Sequence, residues 1–170
     1  MLIMFPAVIC VLHGYAFGLA LDISTCVDIR ISSADAKFAV KEVDIGLAAD
    51  IGTLSRLPKI VGNFGWIKEV ALSARVFGAE EALKVGFVNY VEDTKEKALE
   101  KAFDIARLLA EKSPVAVQGT KELLNHARDN KLADSLRYTG VWNSAAIQTS
   151  DVERAILSGL QKRKPTFEKL

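Results

Sequence analysis

The chain has 170 residues, half of them hydrophobic and a quarter charged, so it is one domain's worth of sequence with material for a sizeable core. Its 22 basic and 21 acidic residues leave a formal charge of +1, which excludes a strongly basic nucleic-acid binder. Two cysteines, Cys10 and Cys26, cannot make a disulfide framework, fit a reduced intracellular protein and include no CxxC pair, so a zinc site is not expected.

Residues 1–21 carry no Asp, Glu, Lys or Arg. A basic n-region is missing, and Pro6, His13, Gly14 and Gly18 interrupt the run, so it reads as a buried strand over Ala7–Leu12 followed by a turn and a helix. A membrane span or signal peptide is not expected. Residues Gly18–Val27 read as a helix, Ile29–Ile31 as a strand and Ala36–Val40 as another. Lys41–Leu47 is a loop, and Ala49–Leu57 is helical up to Pro58. Phe64–Ser73 is a helix, Arg75–Phe77 a short strand, Ala79–Val85 a helix closed by Gly86, and Phe87–Val91 a strand. From Asp93 onward the pattern is helical: Thr94–Lys112, Pro114–Arg128, Leu132–Ile147 and Val152–Lys162. The expectation is α/β over residues 1–92, with parallel βαβ-type crossovers, then a helical region over residues 93–170 that packs on the core or on a partner chain.

Three carboxylates stand out. Asp22 interrupts the apolar run Leu19–Ile23, where burial is costly unless the group is paired or used. Glu42 follows a strand end, and Asp50 sits where a loop meets a helix. Carboxylates at strand ends among apolar residues suit general acid/base work. Each also has a structural reading: Asp50 as a helix N-cap, Glu42 as an exposed loop charge, Asp22 on a solvent edge or bonded to a nearby amide. Asp28 and Asp44 remain rivals, and His13 reads as a turn or core residue. The segment Gly14–Gly18 lies at a strand-to-helix junction, where free N–H groups can stabilise an oxyanion or simply make an ordinary βα turn. It is neither GxGxxG nor a P-loop.

The order His13-Gly14-Tyr15-Ala16-Phe17-Gly18, Asp22, then Cys26-Val27-Asp28-Ile29-Arg30 resembles the crotonase (enoyl-CoA hydratase/isomerase) superfamily. The run Val40–Asp50, continued by Gly52–Pro58, is similar to its delta(3,5)-delta(2,4)-dienoyl-CoA isomerase branch, as are Ser113–Lys121, Trp142-Asn143 and Gln148–Asp151. The resemblance implies a partial ββα spiral followed by a helical oligomerisation region, as homotrimers often paired into hexamers. It implies a fatty acyl-CoA thioester substrate, no separate cofactor, no metal, and a thioester oxygen held between two backbone N–H groups. Asp22, Glu42 and Asp50 fall on the branch's acidic positions: Asp50 to take a proton from carbon 2, Glu42 to deliver one at carbon 6, Asp22 to tune Glu42. Asp50 separates the branch from the hydratases, where a Glu stands at the position of Asp22. The backbone N–H of Leu19 falls on one oxyanion donor, where many members have Gly. The family's N-terminal part, with the other donor and much of the CoA surface, precedes the position of Met1, so the chain reads as truncated. A non-catalytic crotonase-like subunit and a hydratase-like enzyme are the competing readings. The end Phe167–Leu170 is a poor match to an SKL-type peroxisomal signal; the branch leans to the peroxisome, with the mitochondrion as alternative. Lys162-Arg163-Lys164 is a candidate for contact with CoA phosphates or a solvated charge run.

Overall fold

Three of the four strand pairs among the described residues are parallel, and the members of each are separated by a crossover of chain that returns to the same end. The structure, a computed structural model, describes residues 6–168. Residues 1–5 of the apolar opening and the last two residues of the Phe167–Leu170 end lie outside the described residues.

One sheet has the order β1 (Ile9–Leu12), β3 (Ile29–Ser33), β6 (Tyr90–Glu92), parallel throughout. Ile9 pairs with Ile29 and Leu12 with Ser32; Ile31 pairs with Tyr90. A second sheet has the order β2 (Tyr15–Phe17), β4 (Lys37–Ala39), β5 (Phe77–Gly78). Here β2 and β4 are parallel, but β4 and β5 run antiparallel, with Phe38 opposite Phe77. Residues 15–17 are therefore strand rather than the loop expected before the helix. Their alternation turns Ala16 into the core and leaves Tyr15 exposed, and their backbone groups are used in pairing with Lys37–Ala39. Other boundaries also move. Phe87 and Val88 are buried but precede the last strand, whose pairing begins at Tyr90. Lys41–Leu47 contains a 3-10 turn, Glu42–Ile45.

The helices of this part are α1 (Leu19–Ser24), α2 (Thr53–Arg56), α3 (Phe64–Ser73) and α4 (Ala79–Lys84). Asn63 caps α3 by accepting from the Trp66 N–H. The core is aromatic at its centre. Phe38 stacks on Phe77 at 5.4 Å and meets Phe87 edge-on at 5.6 Å; Trp66 meets Phe77 edge-on at 5.0 Å. The buried Arg30 donates to the carbonyls of Phe87 (2.6 Å), Val27 (2.9 Å) and Ser24 (3.2 Å), so its cost of burial is offset by carbonyls at the end of α1 and after α4. Burial pushes its pKa down, although the guanidinium remains paired.

The chain divides into two compact units, the first being Val8–Asp104. The division falls inside α5 (Lys95–Ala110), later in the chain than the boundary expected at 92/93. The second unit holds residues 105–168 with residues 6 and 7, and is helical: α6 (Pro114–Asp129), α7 (Leu132–Ala146) and α8 (Ser150–Leu160). Ser113 caps α6 through the Ala116 N–H and also donates to Asp151 at 2.6 Å, joining α6 to α8. The α6–α7 contact is close: a Cβ at Gly119 would strike the Trp142 indole. His126 stacks on Tyr138 at 4.3 Å beside it. In the basic run near the end, Lys164 is paired with Glu111 at 2.6 Å and Arg163 with Gln161 at 2.5 Å. No helix among the described residues is long and apolar enough to cross a membrane.

Candidate active site

The site is assembled from α1, the turn after β4 and the segment entering α2, all in the first unit. Gly18 joins β2 to α1. Its φ of 50° and ψ of −117° suit only glycine, and its N–H donates to the Ala39 carbonyl at 3.1 Å. That ψ sets the plane of the next peptide, and so aims the Leu19 N–H. Leu19 is the first residue of α1, where backbone donors have no intrahelical partner. Its side chain is exposed.

Glu42 opens the 3-10 turn that follows β4. The turn is closed by the Leu47 N–H on the Glu42 carbonyl (3.0 Å) and anchored by Lys41, whose ammonium bonds the Ala74 carbonyl (2.9 Å) and Asp44 (2.8 Å). Glu42 is half-buried, not the exposed loop charge of the simpler reading. Its Oε2 is buried with no hydrogen-bond partner, and its Oε1 lies 3.3 Å from where a Cβ on Gly18 would stand. The carboxylate thus approaches the backbone that carries Leu19 so closely that a side chain at residue 18 would have to displace it by a few tenths of an ångström.

Asp22 lies on α1 and is only 2 % exposed, so the solvent-edge reading fails. Its Oδ1 accepts from both the N–H (3.2 Å) and the hydroxyl of Thr53. The bonded-amide reading is therefore the correct one for this oxygen. Asp50 is exposed, in irregular chain. The expected helix over Ala49–Leu57 is shorter: Gly52 occupies the N-cap position of α2, with no side-chain cap, and Leu57–Lys59 is a 3-10 turn. Asp50 is thus not a cap. Residues 47–52 cannot continue a helix because Gly52, at φ 110°, turns the chain where the Arg56 guanidinium packs in the space a Cβ would fill.

The rival carboxylates have other employment. Asp28 accepts from the Val8 N–H at 2.7 Å, fixing the entry to β1, and Asp44 pairs with Lys41. His13 is exposed. Thr53 and Arg56 were not singled out by sequence. The only signal for them is that buried Asp22 requires a donor, and pattern does not say which chain segment supplies it. Among the described residues no group of His, Cys, Asp and Glu side chains is arranged to hold a metal ion.

Chemically, the site offers a fixed N–H at the start of a helix, a half-buried carboxylate with one oxygen unpaired, a buried carboxylate held by a threonine, and an exposed carboxylate on the adjoining segment. A carboxylate with an unpaired oxygen close to the N–H that opens a helix is an arrangement that suits movement of protons along an activated carbonyl compound.

Comparison with known proteins points the same way. Residues 4–169 match the family model described as Enoyl-CoA hydratase/isomerase. The chain is 43 % identical over 166 residues to the mitochondrial Delta(3,5)-Delta(2,4)-dienoyl-CoA isomerase of Mus musculus, covering 96 % of this chain and 51 % of that protein. It is 42 % identical over 163 residues to the peroxisomal Delta(3,5)-Delta(2,4)-dienoyl-CoA isomerase of Arabidopsis thaliana, covering 96 % of this chain and 58 % of that one. The chain spans about half the length of the curated relatives it matches. The solved enoyl-CoA hydratase subunit I of Geobacillus kaustophilus superposes with a TM-score of 0.91 at 27 % identity, covering 98 % of this chain and 64 % of that one. Its α/β core followed by helices is the crotonase-type fold expected from the motifs. The chain belongs to the enoyl-CoA hydratase/isomerase family.

Proposed function

We propose that the protein isomerises 3,5-dienoyl-CoA to 2,4-dienoyl-CoA in fatty-acid beta-oxidation. The observation that carries this reading is the similarity to named dienoyl-CoA isomerases at 42–44 % identity in mammals and Arabidopsis, against 31 % for a short-chain-enoyl-CoA hydratase. The retained Asp50 accords with it.

In this reading the thioester oxygen accepts the Leu19 N–H, which stabilises the dienolate as charge develops. Asp50 removes a proton from carbon 2. The double bonds move from positions 3 and 5 to 2 and 4, and Glu42 delivers a proton at carbon 6. Atoms and charge balance, since one proton leaves and one arrives. Asp50 is exposed and passes its proton to water, and Glu42 regains one from water, which resets both groups. Oε2 of Glu42 is buried and makes no hydrogen bond, so it is not committed to a protein partner. Asp22, buried on the helix that Glu42 approaches at Gly18, takes the supporting role beside Glu42 in this reading. The CoA moiety is part of the substrate, and no separate cofactor or metal is needed. We place the protein in a fatty-acid-oxidising organelle, the peroxisome or the mitochondrion, as its relatives' names indicate. The exposed Leu132, Leu136 and Val141 of α7 support assembly into trimers or hexamers through the helical region; native mass spectrometry of the purified chain tests this.

The test of activity is ultraviolet absorbance. Isomerisation conjugates the diene with the thioester, so a 3,5-dienoyl-CoA mixed with the protein must change its spectrum catalytically. A folded sample that leaves the spectrum unchanged refutes the isomerase reading. Addition of water to a 2-enoyl-CoA in its place identifies a hydratase.

A further inference from the structure

Asp22 is gripped at both its side chain and its carbonyl by one short segment. Thr53 donates its N–H (3.2 Å) and its hydroxyl to Oδ1. Three residues on, the Arg56 guanidinium donates to the Asp22 carbonyl (3.4 Å), to the Thr25 hydroxyl (2.8 Å) and to the Ile51 carbonyl (2.9 Å). Thr25 in turn donates its hydroxyl to the Asp22 carbonyl at 2.6 Å. The bonds close a loop between α1 and the segment 51–56, and Thr53 is itself only 1 % exposed. Gly52 stands at φ 110°, a conformation that favours glycine, and a Cβ there would displace the guanidinium.

We infer that Thr53 and Arg56 are positioning residues that clip the Asp50-bearing segment onto α1 through Asp22. This rests on the isomerase reading for its kinetic consequences, not for the clip itself. Both donors of Thr53 converge on Oδ1, so that oxygen is committed to holding the segment and takes no proton from substrate. The clip ties Asp50, three residues before Thr53, to the helix whose first residue is Leu19. The base and the oxyanion donor are thereby held by a single hydrogen-bonded unit. A hydroxyl is essential at residue 53 and a methyl is not, because only the hydroxyl reaches Oδ1 alongside the amide.

The test uses Thr53→Val, which keeps the shape, and Thr53→Ser, which keeps the hydroxyl. Loss of one hydrogen bond to a charged group is expected to lower kcat by about tenfold in Thr53→Val, with KM little changed, because the substrate does not touch residue 53. Thr53→Ser is expected to restore kcat to near the wild-type value. A kcat in Thr53→Val equal to wild type, or an equal loss in Thr53→Ser, overturns the inference. Amide hydrogen exchange supplies a readout independent of turnover. Asp22→Ala is expected to speed exchange of the Thr53 N–H by about tenfold or more, while Ile31 in the buried strand keeps its protection. Unchanged exchange at Thr53 also overturns the clip. Absence of turnover in the wild-type chain refutes the isomerase reading alone, and the exchange result then decides the clip. If Asp22→Ala does not fold, Asp22→Asn, which keeps an acceptor but not the charge, is measured against the same amides, with faster exchange at Thr53 expected and unchanged exchange overturning.

Discussion

Replacing Gly18 with alanine tests the local geometry of the site most directly. The residue sits at φ 50° and ψ −117°, a conformation outside the regions open to L residues. Forcing alanine into such a region costs about 1–3 kcal/mol. The new Cβ would also stand 3.3 Å from Oε1 of Glu42, inside ordinary contact distance. The Glu42 backbone is held by the Leu47 N–H and the turn by Lys41 on the Ala74 carbonyl, so relief of the contact must come from the Glu42 side chain. A total loss of about 2 kcal/mol is expected, and for a chain of this length each kcal/mol lowers Tm by about 2–4 °C. Thermal and urea melts of wild type, Gly18→Ala, Glu42→Ala and the double variant separate the two causes. Removing the Glu42 carboxylate relieves the contact but not the backbone strain, so the double variant is expected to lose less than the sum, by about 0.5 kcal/mol or more. The single variant is also expected to lose isomerase kcat, since relaxation of ψ at residue 18 turns the Leu19 N–H away from its aim. Gly18→Ala with wild-type stability and wild-type kcat would refute both the strain and the approach of Glu42.

Other expectations concern chemistry and packing. Asp50→Asn removes a proton acceptor from an exposed position and is expected to lower isomerase kcat by about a hundredfold or more with an unchanged melting curve; absorbance assay and melt check both halves. Phe38→Ala empties the ring that Phe77 and Phe87 both contact, and is expected to cost about 3–5 kcal/mol in urea denaturation. Gly119→Val, which drives a side chain into Trp142, is expected to lower the melting temperature through the helical unit and to perturb the Trp142 fluorescence. Hydrogen bonds from Arg75 hold the Glu81 and Glu69 carboxyls below their usual range. Depressed carboxyl values mean that the ion pairs contribute fully above the unfolded-state carboxyl range, and that the contribution fades as pH falls through the folded values. Arg75→Met is therefore expected to be slightly less stable than wild type at neutral pH, with the difference closing in acid; melts across that range check it.

The sequence alone carried much of this protein's character. The helices from Phe64–Ser73 onward were legible because apolar residues at helical spacing, Gly86 after α4 and Pro114 at the start of α6 act within one segment. The acids Asp22, Glu42 and Asp50 were visible as charges out of place among apolar residues, and the surrounding motifs indicated the family. Short elements were less legible. Tyr15–Phe17 is a strand only because Lys37–Ala39 lies beside it, and pairing of that kind is not a property of a three-residue segment. The helix expected from Ala49 begins only at Thr53, where Gly52 at φ 110° breaks the helical path, a backbone turn the apolar pattern does not encode. Which neighbours satisfy a buried group was likewise decided by tertiary structure. Thr53 meets Asp22 across 31 residues, and the Glu42 carboxylate settles against Gly18 across the space between β4 and α1. A buried carboxylate must find donors somewhere, and that much follows from solvation alone. The identity of the donor follows from which segments the fold brings within hydrogen-bond reach.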